Sequence, residues 1–206
     1  MIPFFRLNIN RILHLFELRT IRNKNRSLFL TFDDGPEPGI TEFILNELDK
    51  YGFHATFFCR GDNAEKYPEL LQLISNKGHS IGNHTYNHIN SFYTPNDDYV
   101  KDVERADNIL HTKLFRPPWG SITLSSFLRL KKKYLIVYWS LISGDTKKDG
   151  FVKEILLDRL KTNTKSGDVV LFHFCQEHET RTKQLLPEYL SWLSNQDYHC
   201  RCLESV

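Results

Sequence analysis

Apolar residues fall in short runs separated by stretches in which they recur every three or four positions, and the two patterns alternate along the chain. The runs predict strands at residues 28–33, 55–59, 79–83, 114–116, 135–141, 168–174 and 198–203. The stripes between them predict helices. Ile44, Leu45, Leu48 and Tyr51 form one, with Thr41 as cap and Gly52 as stop; Leu70, Leu71 and Ile74 form another, closed by Gly78. Tyr99, Val103, Ala106 and Leu110 form a third. Phe127 with Leu130, Ile155 and Leu156 with Leu160, and Leu186 with Leu190 and Leu193 supply the rest. Strands alternating with helices predict an α/β fold paired in parallel through right-handed crossovers, either an open doubly wound sheet or a barrel. In both, ligands gather where the strands end. No linker or repeat breaks the pattern, so residues 1–206 read as one domain.

Composition changes this picture little. Hydrophobic residues make up 40% and charged residues 25% of the chain, ordinary for a globular protein, and the net charge of +2 gives no basic face of the kind a nucleic acid would need. Cys59, Cys175, Cys200 and Cys202 show no CxxC pair, so they read as reduced and structural. Residues 1–26 read as a helical extension packed on the domain. Ile9, Ile12, Leu13 and Phe16 share a helical face, while Arg6, Arg11, Glu17, Arg19 and Arg22 interrupt any run long enough to span a bilayer or act as a secretory leader. Peripheral membrane contact through residues 1–22 is the alternative use of that face. The expected location is therefore cytoplasmic or associated with the inner membrane, and the expected state a monomer.

Polar residues collect after the strands. The first strand runs into Asp33 and Asp34, the third into GNHTYNH with His84 and His88, the fourth into FRPPWG. The fifth is followed by SGD, ending at Asp145, and the sixth ends on His173. Two histidines four apart lie one helical turn apart, so both imidazoles can aim at one point; Asp34 would complete a three-ligand site with a position open for water. One of two adjacent carboxylates is then neutralised by an ion while its neighbour stays ionised. Capping of an Asp-Gly turn is the plainer reading of the same pair. In FRPPWG the prolines lack N–H groups, so the first free donors after Arg116 belong to Trp119 and Gly120. Such a donor beside a cationic side chain suits a developing oxyanion; a stiff corner with Trp119 as packing is the alternative. His173 is a buried hydrogen-bonded histidine or, beside a metal, a general acid.

Together these motifs resemble the polysaccharide deacetylases of carbohydrate esterase family four, the NodB homology domain, over roughly residues 27–175. TFDDGP at 31–36, HTYNH at 84–88, RPPWG at 116–120, WSLISGD at 139–145 and LFH at 171–173 are similar to the family's five motifs in order. The resemblance implies a distorted (β/α)7 barrel carrying a metal-dependent N-deacetylase. Asp33 would be the general base, with Asp34, His84 and His88 holding a divalent metal, zinc ahead of cobalt or nickel. Arg116 would hold the base, the Trp119 amide would bind the oxyanion, His173 would protonate the leaving amine, and Asp145 would tune His173. The substrate would be an N-acetylated glycan: peptidoglycan, a chitin-like polymer or a precursor.

Two positions depart from the family pattern. Thr146 follows Asp145 where a tryptophan is common, and Phe174 follows His173 where relatives often place an aspartate. A catalytically silent sugar-binding relative, an O-acetyl esterase and a deacetylase of a lipid-linked sugar compete with the main reading.

Overall fold

A computed structural model describes residues 26–203. The expected N-terminal extension and its membrane-facing residues lie outside the described residues. Strand β1, Ser27–Asp33, is buried along its whole length and forms the centre of a parallel sheet. The other strands are β2 (Ala55–Cys59), β3 (Ser80–Asn83), β4 (Leu114–Phe115), β5 (Leu135–Ile136), β6 (Leu141–Ile142), β7 (Val169–His173) and β8 (His199–Cys200). Seven follow one path, β5-β4-β3-β2-β1-β7-β6, and β8 pairs with the start of β1. The helices are α1 (Ile40–Asp49), α2 (Gly61–Lys66), α3 (Pro68–Asn76), α4 (Asn96–Leu110), α5 (Leu124–Leu130), α6 (Lys153–Asn163) and α7 (Glu179–Asn195). This is the expected barrel, with helices packed outside a curled parallel sheet.

Alternation along β1 decides which acid enters the barrel. Leu28, Leu30 and Phe32 face outward into the core shared with α1, α6 and α7, where each side chain contributes about 1.5–3 kcal/mol by leaving water. Phe29, Thr31 and Asp33 therefore face inward, Phe29 meeting Phe58, Leu114, Val137, Val169 and Leu203 in an inner core. On β7 the same rule turns Val169, Leu171 and His173 inward, and the register pairs Asp33 with His173 at the rim. The period of two thus delivers the base candidate and the acid candidate to one face.

The structure corrects several local expectations. Residues 135–141 do not form one strand: β5 pairs with β4, β6 pairs with β7, and the chain between them crosses from one edge of the sheet to the other. Val137 N–H still bonds to Phe115 O and Ser140 N–H to Val169 O, so the segment bridges the two edges. Its middle carbonyls, on Val137 and Tyr138, accept from the Arg116 guanidinium. The strand expected from His79 begins at Ser80, because the buried His79 ring turns aside to accept the Ala55 N–H at Nδ1. The last strand shrinks to two residues. Helix α1 is capped by Gly39, with φ of 83° and its N–H donated to Glu42; Thr41 lies inside the first turn and bonds to Glu37 O. All four cysteines are free.

Candidate metal centre and acid–base pair

The first motif leaves β1 and turns at Asp34, whose φ of 84° is a left-handed conformation rarely taken by side-chain-bearing residues. That turn lifts the Asp34 carboxylate to the rim while Asp33 stays inside. Beneath it Gly35 lies against Phe174: a Cβ there would sit 2.4 Å from the Phe174 ring. Phe174 is buried and packs edge-on to Phe57 with ring centroids 5.1 Å apart, so this departure from the family pattern is a prop under the turn.

The second motif is not helical. Residues 84–88 form a bend in which Thr85 and His88 have φ of 65° and 54°. The two imidazoles converge nonetheless, by loop geometry in place of helical spacing. His84 Nε2 lies 3.4 Å and His88 Nε2 3.0 Å from Asp34 Oδ1, and the three ligand atoms all fall within 4.8 Å of one another. His84 Nδ1 lies 2.8 Å from Arg116 O, and a carbonyl can only accept, so the ring carries its proton on Nδ1 and presents a lone pair at Nε2. Asp34 Oδ1 is buried with no well-directed hydrogen bond. The His84 lone pair facing a carboxylate oxygen at this range fits a cation, and two imidazoles with one carboxylate are a donor set that suits zinc. Burial pushes the Asp34 carboxyl up, but His84, His88 and His173 more than reverse this and hold it well below the usual carboxylate range.

A second triad, Asp34, Cys175 and His178, is equally compact. Its chemistry is less suited to an ion. Arg181 donates to His178 Nδ1 across 3.1 Å, which leaves the neutral ring protonated at Nε2. Burial also pushes the Cys175 thiol up to about 12, with Asp34 adding to the effect.

Beside the first triad sits a buried ion pair. Arg116, with no exposed surface, donates from Nη1 to Asp33 Oδ1 at 2.7 Å and to Thr31 Oγ1 at 2.8 Å, and its guanidinium lies 4.1 Å from the centre of the Phe58 ring. One Asp33 oxygen is thereby fixed, while Oδ2 lies 3.8 Å from His84 Nε2, toward the ligand cluster. The two peptide carbonyls that Arg116 also holds explain why so polar a side chain is tolerated there.

Across the rim, His173 Nε2 stands 4.0 Å from Asp34 Oδ2. Its Nδ1 meets Asp145 Oδ1 at 3.0 Å, and its backbone N–H reaches Asp145 Oδ2 at 2.7 Å. Burial alone would lower the His173 pKa; the Asp145 charge and hydrogen bond, helped by Asp34 and Asp33, raise it instead to about 9. Asp145 is itself held low: burial raises it, and His173 more than compensates.

The third motif makes a short 3-10 turn, Pro118–Gly120, with Trp119 at φ of 55°. Gly120 N–H is consumed by Pro117 O and Ser121 N–H by Pro118 O, leaving the Trp119 amide as the free donor of the loop among the described residues. The Trp119 ring is 58% exposed and lies 4.3 Å from the His88 ring. All eight residues singled out in the sequence therefore meet at one rim.

Three contributors escaped the sequence. Thr182, buried on α7, donates its hydroxyl to Asp145 Oδ2 at 3.0 Å, and Arg181 donates from Nε to Asp145 O. Asp102, on α4, binds the loop carrying the two histidines. None lies in a motif, and all act across long sequence separations.

Comparison with known proteins agrees with this geometry. The polysaccharide deacetylase family model matches residues 20–136. A peptidoglycan-N-acetylglucosamine deacetylase of Bacillus cereus is 38% identical over 152 residues, covering 70% of this chain and 54% of that protein. A second so named from the same organism is 31% identical and covers 86% of each. The chain thus spans about half of the first and most of the second. The crystal structure of the Bc1960 peptidoglycan N-acetylglucosamine deacetylase superposes with a TM-score of 0.85 at 28% identity, over 98% of this chain and 95% of that one. The chain belongs to the polysaccharide deacetylase family.

Proposed function

We propose that this protein is a metal-dependent N-deacetylase that hydrolyses the acetamide of an N-acetylated sugar within a glycan, releasing acetate and a free amine. The observation that carries the reading is the unsatisfied Asp34 Oδ1 facing His84 and His88, with Asp33 fixed beside it. Asp34, His84 and His88 would hold one divalent ion, zinc first by the chemistry of the donor set, with cobalt or nickel as substitutes. A divalent ion in such a site supplies Lewis acidity and a water whose pKa falls from near 16 towards roughly 7.

The protein's own groups do the rest. Arg116 holds Asp33 Oδ1 and orients the carboxylate, so Oδ2 accepts the proton of the attacking water as the new C–O bond forms. The Trp119 N–H donates to the oxyanion that the carbonyl oxygen becomes; removing one such donor commonly costs about 3 kcal/mol. His173, an imidazolium at neutral pH, gives its Nε2 proton to the nitrogen as the C–N bond breaks. Asp145 thus keeps the acid charged while Arg116 holds the base, within one rim.

The relatives named for peptidoglycan N-acetylglucosamine support an N-acetylated glycan as substrate. No helix of the described residues is long and apolar enough to cross a membrane. Acetate release across N-acetylglucosamine oligomers, peptidoglycan and lipid-linked sugars, with and without chelator, tests the reading. Release that stops with chelator and returns with zinc supports it, and the preferred member of the panel separates mature polymer from precursor. Stoichiometric ion with no acetate from any member would make the protein a glycan-binding relative, and release from O-acetyl esters alone would make it an esterase.

A further inference from the structure

Asp102 is a buried carboxylate that the reaction does not use. It lies midway along α4, 8% exposed, and turns toward the bend at residues 84–88. Its Oδ1 accepts the N–H of Tyr86 at 2.8 Å and of Asn87 at 3.0 Å, and its Oδ2 accepts the Asn87 side-chain amide at 2.5 Å. These amides lie between His84 and His88. The bend cannot satisfy them itself, because Thr85 and His88 both take left-handed conformations and no helical ladder forms.

Other contacts fix the neighbouring positions. The Thr85 N–H goes to the Asn83 side chain, and His84 Nδ1 to Arg116 O. Further along, Ser91 accepts the Thr123 N–H and donates to Ser121 O, tying the same loop to the one that carries Trp119. The approach to His88 runs through Tyr86 and Asn87: Tyr86 is also held by the Asp62 N–H on its carbonyl and by Glu65 on its hydroxyl, whereas both Asn87 contacts, backbone and side chain, end on Asp102. We propose that Asp102 is a positioning residue: a side-chain clamp that sets the direction of the His88 imidazole relative to His84 and Asp34. Its effect is on ion affinity, although it touches neither ligand side chain. Hydrogen bonds one shell removed from a metal commonly change affinity by roughly 10–100-fold when lost.

The inference rests on the metal reading of Asp34, His84 and His88, and one titration separates the two. Co2+ is added to the metal-free full-length protein and followed by its visible absorption, with zinc competition giving affinities, for wild type, Asp102→Ala and Asp102→Asn. Denaturation of the metal-free forms is measured in parallel. The expected result is tight stoichiometric binding by wild type and roughly 10–100-fold weaker binding by Asp102→Ala, with an altered absorption band. Asp102→Asn, which keeps one acceptor for the two backbone amides, should fall between, and it carries the test if Asp102→Ala fails to fold. Lower stability of the metal-free variants with unchanged affinity and spectrum of their folded fraction would make Asp102 merely structural and overturn the proposal. Failure of wild type to take up the ion would overturn the metal reading itself and this inference with it.

Discussion

Replacing Asp145 by Asn removes one charge from a fully buried position and reverses one hydrogen bond. The wild-type carboxylate makes three contacts, to His173 Nδ1, His173 N–H and Thr182 Oγ1. An amide oxygen in the Oδ2 place can still accept the latter two, which turns the amide nitrogen toward His173 Nδ1. That nitrogen only donates, so the ring must accept at Nδ1 and keep its single proton on Nε2. Delivering this proton would leave an imidazolate, and the acid is lost as a form, not merely weakened. The interval between the ordinary 6.5 and about 9 corresponds to about 3 kcal/mol of preference for the imidazolium. Without Asp145 the largest raising influence on His173 is gone, and a return to the ordinary 6.5 would leave about a tenth of it as imidazolium at pH 7.5. Protonation alone therefore predicts a tenfold loss. Loss of the productive tautomer brings the total to roughly 10²–10⁴-fold, the range of general acid catalysis. The assay is kcat/KM of zinc-loaded Asp145→Asn on an N-acetylglucosamine oligomer and on 4-nitrophenyl acetate, from pH 5 to 10. The aryl ester leaves without a proton, so its turnover should fall less than about tenfold, while the alkaline limb of amide hydrolysis moves to lower pH. A bound cation opposes Asp34 and Asp33, so the wild-type limb itself should lie below about 9. Equal losses on both substrates, or an amide loss under tenfold with an unmoved limb, would refute the reasoning.

Three further outcomes follow from the same geometry. Asp33→Asn should retain stoichiometric zinc and lose turnover, whereas Asp34→Asn should lose both, measured by elemental analysis and acetate release; the opposite pattern would exchange the two roles. Arg116→Met should destabilise the metal-free protein by about 3–5 kcal/mol, because it strands a buried carboxylate and two carbonyls; chemical denaturation reads this, and a change below 1 kcal/mol would contradict it. The folded-state pKa of His173 lies above its unfolded value, so the stability it contributes is complete below pH 6.5 and fades as pH rises to about 9. Metal-free protein should accordingly lose up to about 3 kcal/mol across that window, and Asp145→Asn should flatten the decline; a wild-type stability that stays level or rises would count against the pair.

The parts of this site visible in the sequence are those written into short motifs at strand ends. Asp33 and His173 follow from a period of two, since Leu30 and Phe32 must face the helices and their alternates must face the barrel. The bend at residues 84–88 was not legible as such: spacing of four suggested a helix, and the left-handed Thr85 and His88 depend on amides that Asp102 satisfies from fifteen or more residues away. The break between β5 and β6 has a similar origin. Residues 135–141 are uniformly strand-like, and the Arg116 side chain, arriving from another strand, satisfies carbonyls at the break. Likewise FRPPWG offered two free donors, and the turn at Trp119 consumes one of them. Local pattern carried the chemistry; long-range hydrogen bonds decided the geometry.

If Asp34, His84 and His88 grip one divalent ion beside Asp33, anomalous diffraction at the zinc edge, from crystals grown with zinc, will reveal it. A single strong peak is expected about 2.0–2.2 Å from one oxygen of Asp34 and from Nε2 of both histidines. A peak seated instead on Cys175 and His178, or none at the rim, would contradict it.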